Sequence, residues 1–181
     1  MIQPLKSILA VDVLETKRLS LEPLSKYFLS QVYVNWLNDD VVNQYLVSGG
    51  DYTLEKLQQY LEEVERKPKY FWAIKLKETN KHIGNIKIDP INLNDLSGEY
   101  GIMIGDRSTW GKGIGKEASE IVLAFCFETL HLKKITLGVQ KNNLKAIRLY
   151  EKLGFTLEKQ SESNEAIHPH HRMFLYNPKT V

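Results

Sequence analysis

The chain has 181 residues but a single cysteine and no long apolar run. One thiol, Cys126, excludes an internal disulfide and a cysteine-built metal cluster. It sits inside an apolar helical pattern with no neighbouring cation or helix N-terminus to activate it, so it reads as a small core residue. No stretch approaches the roughly 18 consecutive apolar residues of a membrane span. Charge of one sign is scarce too. Twenty-four Lys and Arg against 22 Asp and Glu leave +2, too little to argue for a nucleic-acid or membrane partner. The signs are interspersed, so no charged tail is expected. The apolar run Ile8 to Leu14 is broken by Asp12 and lacks a basic leader and a small-residue cleavage site. It does not read as a signal peptide, and a cytoplasmic location is expected.

What is present is ordinary globular material: 43% hydrophobic and 25% charged residues, enough for one packed core. We expect one domain over 1–181, with 1–15 as an N-terminal extension. Alternation marks strands at Arg18 to Glu22, Tyr70 to Lys77, His82 to Asp89, Glu99 to Ile104, Lys134 to Val139, Phe155 to Lys159 and Arg172 to Tyr176. Helical spacing marks Ser25 to Leu37, Asp40 to Tyr45, a helix from the cap Thr53 to a stop at Pro68, one from Lys116, and one capped by Asn142 or Asn143 and ended by Gly154. Ser48-Gly49-Gly50 and Asn92 to Gly98 read as loops. This order predicts an α/β (α+β) domain, a mixed sheet with helices on its faces.

Trp110-Gly111-Lys112-Gly113-Ile114-Gly115 is the most informative stretch, because a helical pattern follows it directly. Glycines let main-chain N–H groups approach a ligand closely, and a helix start adds unpaired donors and a positive dipole end. Together these suit a phosphate. The dinucleotide fingerprint G-x-G-x-x-G fails because Lys116 stands where its last glycine belongs. The P-loop fails at Trp110 and Glu117. A plain strand-to-helix turn is the competing reading.

A second segment, Asn143-Leu-Lys-Ala146-Ile-Arg-Leu-Tyr150-Glu-Lys-Leu-Gly154-Phe155, lies downstream. With the loop at 110–115 it resembles the GNAT superfamily of acetyl-CoA-dependent N-acetyltransferases. The loop is similar to that family's [RQ]-x-x-G-x-[GA], with Gly113 and Gly115 matching and Trp110 in place of Arg or Gln. W-G-x-G at this point resembles the branch of ribosomal-protein N-terminal acetyltransferases. So do Thr16-Lys17-Arg18-Leu19-Ser20-Leu21 and Tyr33-x-x-Trp36-Leu37-Asn38-Asp39. The likeness runs from Thr16 to Tyr176. It implies a mostly antiparallel sheet with one splayed parallel pair, and acetyl-CoA as co-substrate.

The resemblance also implies roles. Trp110, Gly111, Lys112, Gly113, Ile114, Gly115 and Lys116 would meet the pyrophosphate. The strand Ile102, Met103, Ile104 would pair with the pantetheine arm and splay from Ile135 to Val139, Gly105 easing the departure. Asn143 and Ala146 would flank the cofactor. Tyr150, four residues after Ala146 on one helical face, would be the general acid beside the sulfur. Its alternative is a core aromatic. Glu99, opening the strand that leads to the loop, is the candidate base and amine contact. Its alternative is a solvent-facing charge. Trp36 and Tyr45, drawn from an aromatic set with Tyr33 and Tyr52, are expected near the acceptor. His170, in a cluster with His168 and His171, is either an exposed loop histidine or a substrate contact. No spacing suggests a metal.

Acetyl transfer to an amine needs a deprotonated nucleophile, donors for the oxyanion and a proton for the leaving thiolate. A covalent enzyme intermediate is not required, since proximity alone supplies about 7–11 kcal/mol. The acceptor is expected to be the primary amine of a small molecule (an amino sugar, amino acid, polyamine or similar), with a protein N-terminus as the alternative. A non-catalytic acyl-CoA sensor and an interaction module with no coenzyme A binding are the readings from other classes. A homodimer is the alternative to a monomer.

Overall fold

A computed structural model describes residues 11–46, 50–66, 70–158 and 169–179. Eight strands form one sheet: β1 (Leu14–Glu15), β2 (Leu19–Pro23), β3 (Tyr70–Leu76), β4 (Lys81–Asn92), β5 (Ser97–Ile104), β6 (Lys134–Gln140), β7 (Thr156–Leu157) and β8 (His170–Tyr176). Their order is β1-β2-β3-β4-β5-β6-β8-β7. Every neighbour pair is antiparallel except β5 with β6. The helices are α1 (Gln31–Asn38), α2 (Asp40–Asn43), α3 (Leu54–Arg66), α4 (Ile114–Glu128) and α5 (Leu144–Lys152).

Strand alternation splits the apolar residues between two cores, because successive side chains leave opposite faces. Trp72 and Ile74 of β3 join Ile86, Ile88, Tyr100, Ile135 and Leu137 under Val122, Phe125 and Cys126 of α4 and Tyr150 of α5. Ala73, with Phe71 and Met103 beside it, faces Trp36 and Leu37 of α1 and Leu57 and Leu61 of α3. The sheet is thus covered on both faces, as the element order implied. Cys126 is fully buried, and burial pushes its thiol up, away from reactivity.

Several expectations are corrected. The helix expected over Ser25 to Leu37 is two pieces, a 3-10 turn Lys26–Phe28 and α1. Ser25 and Ser30 each accept a main-chain N–H (from Tyr27 and Tyr33), and extended Leu29 lies between them, so the second serine restarts the helix. The helix expected to run to Tyr45 stops at Asn43. The loop expected over Asn92 to Gly98 shrinks to residues 93–96, since β4 reaches Asn92 and β5 begins at Ser97. Residues 14–15, assigned to an extension, add an edge strand, and the Asp12 carbonyl accepts the Trp72 indole N–H at 2.8 Å. Ser48, Gly49, Pro68, Lys159 and His168 lie outside the described residues.

Candidate active site

β5 and β6 run side by side for only three residues. Ser97, Gly98 and Glu99 pair with Lys134, Ile135 and Thr136, and then the strands part. The Leu96 carbonyl accepts Lys133 N–H on the β6 side, and Gly105 N–H reaches the Ile83 carbonyl on the β4 side. Alternation therefore turns the main-chain groups of Tyr100, Ile102 and Ile104 into the open wedge. A free strand edge of this kind can bind an extended amide chain. Met103, expected with Ile102 and Ile104 on that edge, is corrected by the same period of two. Its main chain faces β4 and its side chain joins the α1–α3 core.

The wedge ends at the glycine loop. The Trp110 indole N–H donates to the Ile104 carbonyl at 2.9 Å, tying the loop to the end of β5. Gly111 and Gly113 have φ of 74° and 75°, the left-handed region where a side chain is strained. Gly113 is the N-cap of α4, with no side-chain cap bond, so the first N–H groups of the helix lack a capping partner. The left-handed cap starts α4 at Ile114, two residues before the position periodicity suggested. Gly115 packs near Leu149 and Ile102, bringing this turn against α5. Lys112 is exposed, and Lys116 pairs with Glu120.

On the α4–α5 face, Asn143 caps α5 through its bond from the Ala146 N–H at 3.2 Å. Tyr150 is buried, its ring edge-on to Tyr100 at 5.8 Å and 6.0 Å from Phe155. Burial pushes its phenol up to about 12, so it carries its proton at neutral pH. Beside it, the Tyr100 hydroxyl bonds Ser119 at 2.6 Å, and Ser119 donates to the Gly115 carbonyl at 2.6 Å. Since the Ser119 proton is committed to Gly115, Tyr100 is the donor of the first bond.

The opposite face is built differently. Glu99, at the last paired position before the wedge, accepts both Nη atoms of Arg172 (2.9 and 3.0 Å) and the Thr136 hydroxyl at 2.8 Å. Arg172 reaches across β6 above Gly138, where a Cβ would lie 3.9 Å from its guanidinium. Of the residues expected near an acceptor, Trp36 is buried between Gly105 and the rings of Tyr33 and His82. Tyr45 lies half-buried just after α2, and His170 is exposed at the start of β8. Neither Arg172 nor Thr136 was singled out from the sequence, since β8 is brought beside β5 only through β6. Among the described residues, no group of three His, Cys, Asp or Glu is placed to hold a metal, and no helix is long and apolar enough to cross a membrane.

A mixed sheet that opens into a wedge, closed at one end by a glycine-led helix start, defines a class. Residues 18–156 match the family described as acetyltransferase (GNAT) domain, and the chain belongs to that family. Within it, the probable N-acetyltransferase YjcK of Bacillus subtilis is 28% identical over 151 residues, 78% of this chain and 83% of that protein. An uncharacterized protein of Methanocaldococcus jannaschii is 32% identical over 107 residues, 58% of this chain, and the match spans only 22% of that protein. The crystal structure of spermidine N-acetyltransferase from Vibrio cholerae, in complex with CoA and spermine, superposes with a TM-score of 0.76 at 24% identity, covering 91% of this chain and 98% of that one. That likeness shows the shared fold.

Proposed function

We propose that the protein is an N-acetyltransferase that moves acetyl from acetyl-CoA directly to the primary amine of a small molecule. The observation that carries this reading is the wedge after Glu99, with free strand edge on one wall, Tyr150 below it and the uncapped start of α4 at its end. The N–H groups of Gly113 to Lys116 suit a diphosphate. The wedge-facing groups of Tyr100 and Ile102 suit the amides of pantetheine. The thioester lies at the far end of the pantetheine arm from the diphosphate, so its oxyanion is served by a wedge-facing N–H toward Tyr100 and Tyr150 rather than by one beside the loop.

Tyr150 and Glu99 lie on opposite faces of the sheet, which separates the group serving the sulfur from the group serving the amine. The Tyr150 phenol sits far above an ordinary thiol near 8.5, so full proton transfer to a leaving thiolate is uphill. Its role is to donate a hydrogen bond to sulfur as charge develops there. Glu99 is the carboxylate at the last paired position before the strands part, and Arg172 contacts both its oxygens. Three donors fill three of its roughly four acceptor sites, so Oε1 keeps one lone pair for the arriving ammonium while Arg172 holds the carboxylate in place. Attack by the neutral amine on the thioester carbon then needs no covalent link to the protein.

The small net charge favours a small acceptor over a ribosomal protein in its anionic RNA setting. The W-G-x-G at Trp110 to Gly113 favours the second reading, a protein N-terminus. Thiol release from acetyl-CoA, measured across amino sugars, amino acids, polyamines, aminoglycosides and free N-terminal peptides, decides between them. Turnover with one of the small amines supports the proposal, and turnover confined to peptides moves the acceptor to protein. Tight acetyl-CoA binding without thiol release from any amine identifies a sensor.

A further inference from the structure

The segment Thr16 to Leu21 carried part of the family resemblance, yet nothing in the transfer chemistry uses it. In the fold it lies against the glycine loop. Arg18 Nη1 donates to the Lys112 carbonyl at 2.9 Å, although 94 residues separate them in sequence. Its Nε and Nη2 both reach Glu117 Oε2 at 2.6 Å. The other carboxylate oxygen of Glu117 accepts the Arg18 main-chain N–H at 3.0 Å and the Thr16 hydroxyl at 2.6 Å. Thr16 in turn accepts the Leu19 N–H at 2.9 Å, fixing the entry to β2. These bonds from Thr16 and Arg18 hold the Glu117 carboxyl below the usual range even though burial opposes ionisation.

We propose that Arg18 is a positioning residue for the diphosphate loop and that Glu117 is its anchor, an inference that rests on the cofactor reading above. The loop needs an outside brace. Gly111 and Gly113 both adopt left-handed angles, and a Cβ on Gly111 would touch nothing within 4 Å. Glycines in such positions are free to leave them. A trans peptide is planar, with C=O and N–H pointing in opposite directions. Holding the Lys112 carbonyl toward β2 therefore aims the Gly113 N–H away from β2. One guanidinium fork sets one peptide plane, and that plane leads the first turn of α4. Arg suits this role because three of its donors act at once in a rigid plane, which Lys cannot copy. A donor array set before the anion arrives loses less affinity to ordering than a loose one.

The test separates the diphosphate from the rest of the donor. Binding of coenzyme A and of pantetheine, which lacks the diphosphate, is measured calorimetrically on the parent, Arg18→Lys, Arg18→Gln and Glu117→Gln. Turnover is measured with acetyl-CoA and with the acetyl thioester of N-acetylcysteamine. Loss of the fork is expected to weaken coenzyme A by about tenfold while pantetheine stays within twofold, since a charge-assisted pair is at stake. KM for acetyl-CoA rises, and the rate with the short thioester is retained. Arg18→Lys falls between parent and Gln. A merely structural role lowers both ligands and both donors together, and that result overturns the proposal, as does unchanged coenzyme A affinity. A parent that binds coenzyme A but acetylates nothing overturns the proposed activity and leaves the brace standing. A parent that binds no coenzyme A overturns both. Arg18→Lys and Glu117→Gln keep the comparison available if Arg18→Gln unfolds.

Discussion

The two faces of β5 are made of different materials. On the α4–α5 face the site is main chain: a free strand edge, an uncapped helix start and one buried phenol. On the α1–α3 face it is side chain: Glu99, Thr136 and Arg172, drawn from three strands. A main-chain site tolerates sequence change and suits a ligand shared across a family. A side-chain site changes with each residue and suits an acceptor that differs between members. The difference is sharpest in removal of one hydroxyl. Tyr150→Phe keeps the ring packing against Tyr100 and Phe155 and leaves the amide array untouched. We expect kcat to fall on the order of 100-fold, as loss of one hydrogen-bond donor to developing charge does. Coenzyme A affinity should stay within twofold by calorimetry. Equal turnover in the variant would remove Tyr150 from the chemistry and leave it a core aromatic.

Glu99→Gln attacks the other face. It keeps the strand register but cannot accept both Arg172 nitrogens as an anion. We expect kcat at neutral pH to drop about tenfold and to recover in part at high pH, where the amine arrives without its proton. Steady-state rates from pH 6 to 10 check this. A pH–rate profile superimposable on the parent's would show that Glu99 only locks the point where the strands part.

The contrast also explains what could be read from the sequence. The main-chain half, with Tyr150, is encoded locally. Glycine spacing before a helix, a cap at Asn142 or Asn143 and a tyrosine one turn past Ala146 all lie within short segments; α4 starts two residues early at Ile114, and Asn143 is the cap. Sheet and helix order were legible for the same reason. The side-chain half is encoded in tertiary pairing. Arg172 meets Glu99 only because β8 pairs with β6 and β6 pairs briefly with β5. Arg18 meets Lys112 only because β2 lies near the start of α4. No periodicity reports such contacts. Trp36 shows a third case: an aromatic whose burial depends on a glycine almost 70 residues away, Gly105.

That glycine gives the third prediction. A Cβ at Gly105 would lie 2.1–2.5 Å from three atoms of the Trp36 indole, which is itself buried against Tyr33 and His82. The indole has no room to retreat, so Gly105→Ala should cost about 1–3 kcal/mol, the range for overpacking a core. Urea unfolding measures it. The strain falls on the α1–α3 face, so acceptor KM should rise more than acetyl-CoA KM. A variant as stable as the parent would mean that α1 shifts away freely and that this core is looser than the other.

The smallest effect tests the same core by pH. His82 stacks among Phe28, Tyr33 and Trp36 at ring distances of 4.9, 5.4 and 5.0 Å. Desolvation lowers its pKa below the ordinary 6.5, outweighing the Asn85 and Gly84 contacts that raise it, while Lys75 lowers it further. The sign follows from linkage. Above about 6.5 the ring is neutral in both states and the fold keeps its full stability. As pH falls through 6.5 the unfolded chain takes the proton first, and stability drops until the buried ring also protonates. His82→Gln removes this term and keeps a donor toward the Gly84 carbonyl. Between pH 7.5 and 5.5, the urea midpoint of the parent should fall more steeply than that of the variant. Contributions common to both proteins cancel in the difference. Parallel curves would mean that water reaches His82 and that the α1–α3 core opens locally under native conditions, even though Leu57, Leu61 and Ala73 within it are fully buried.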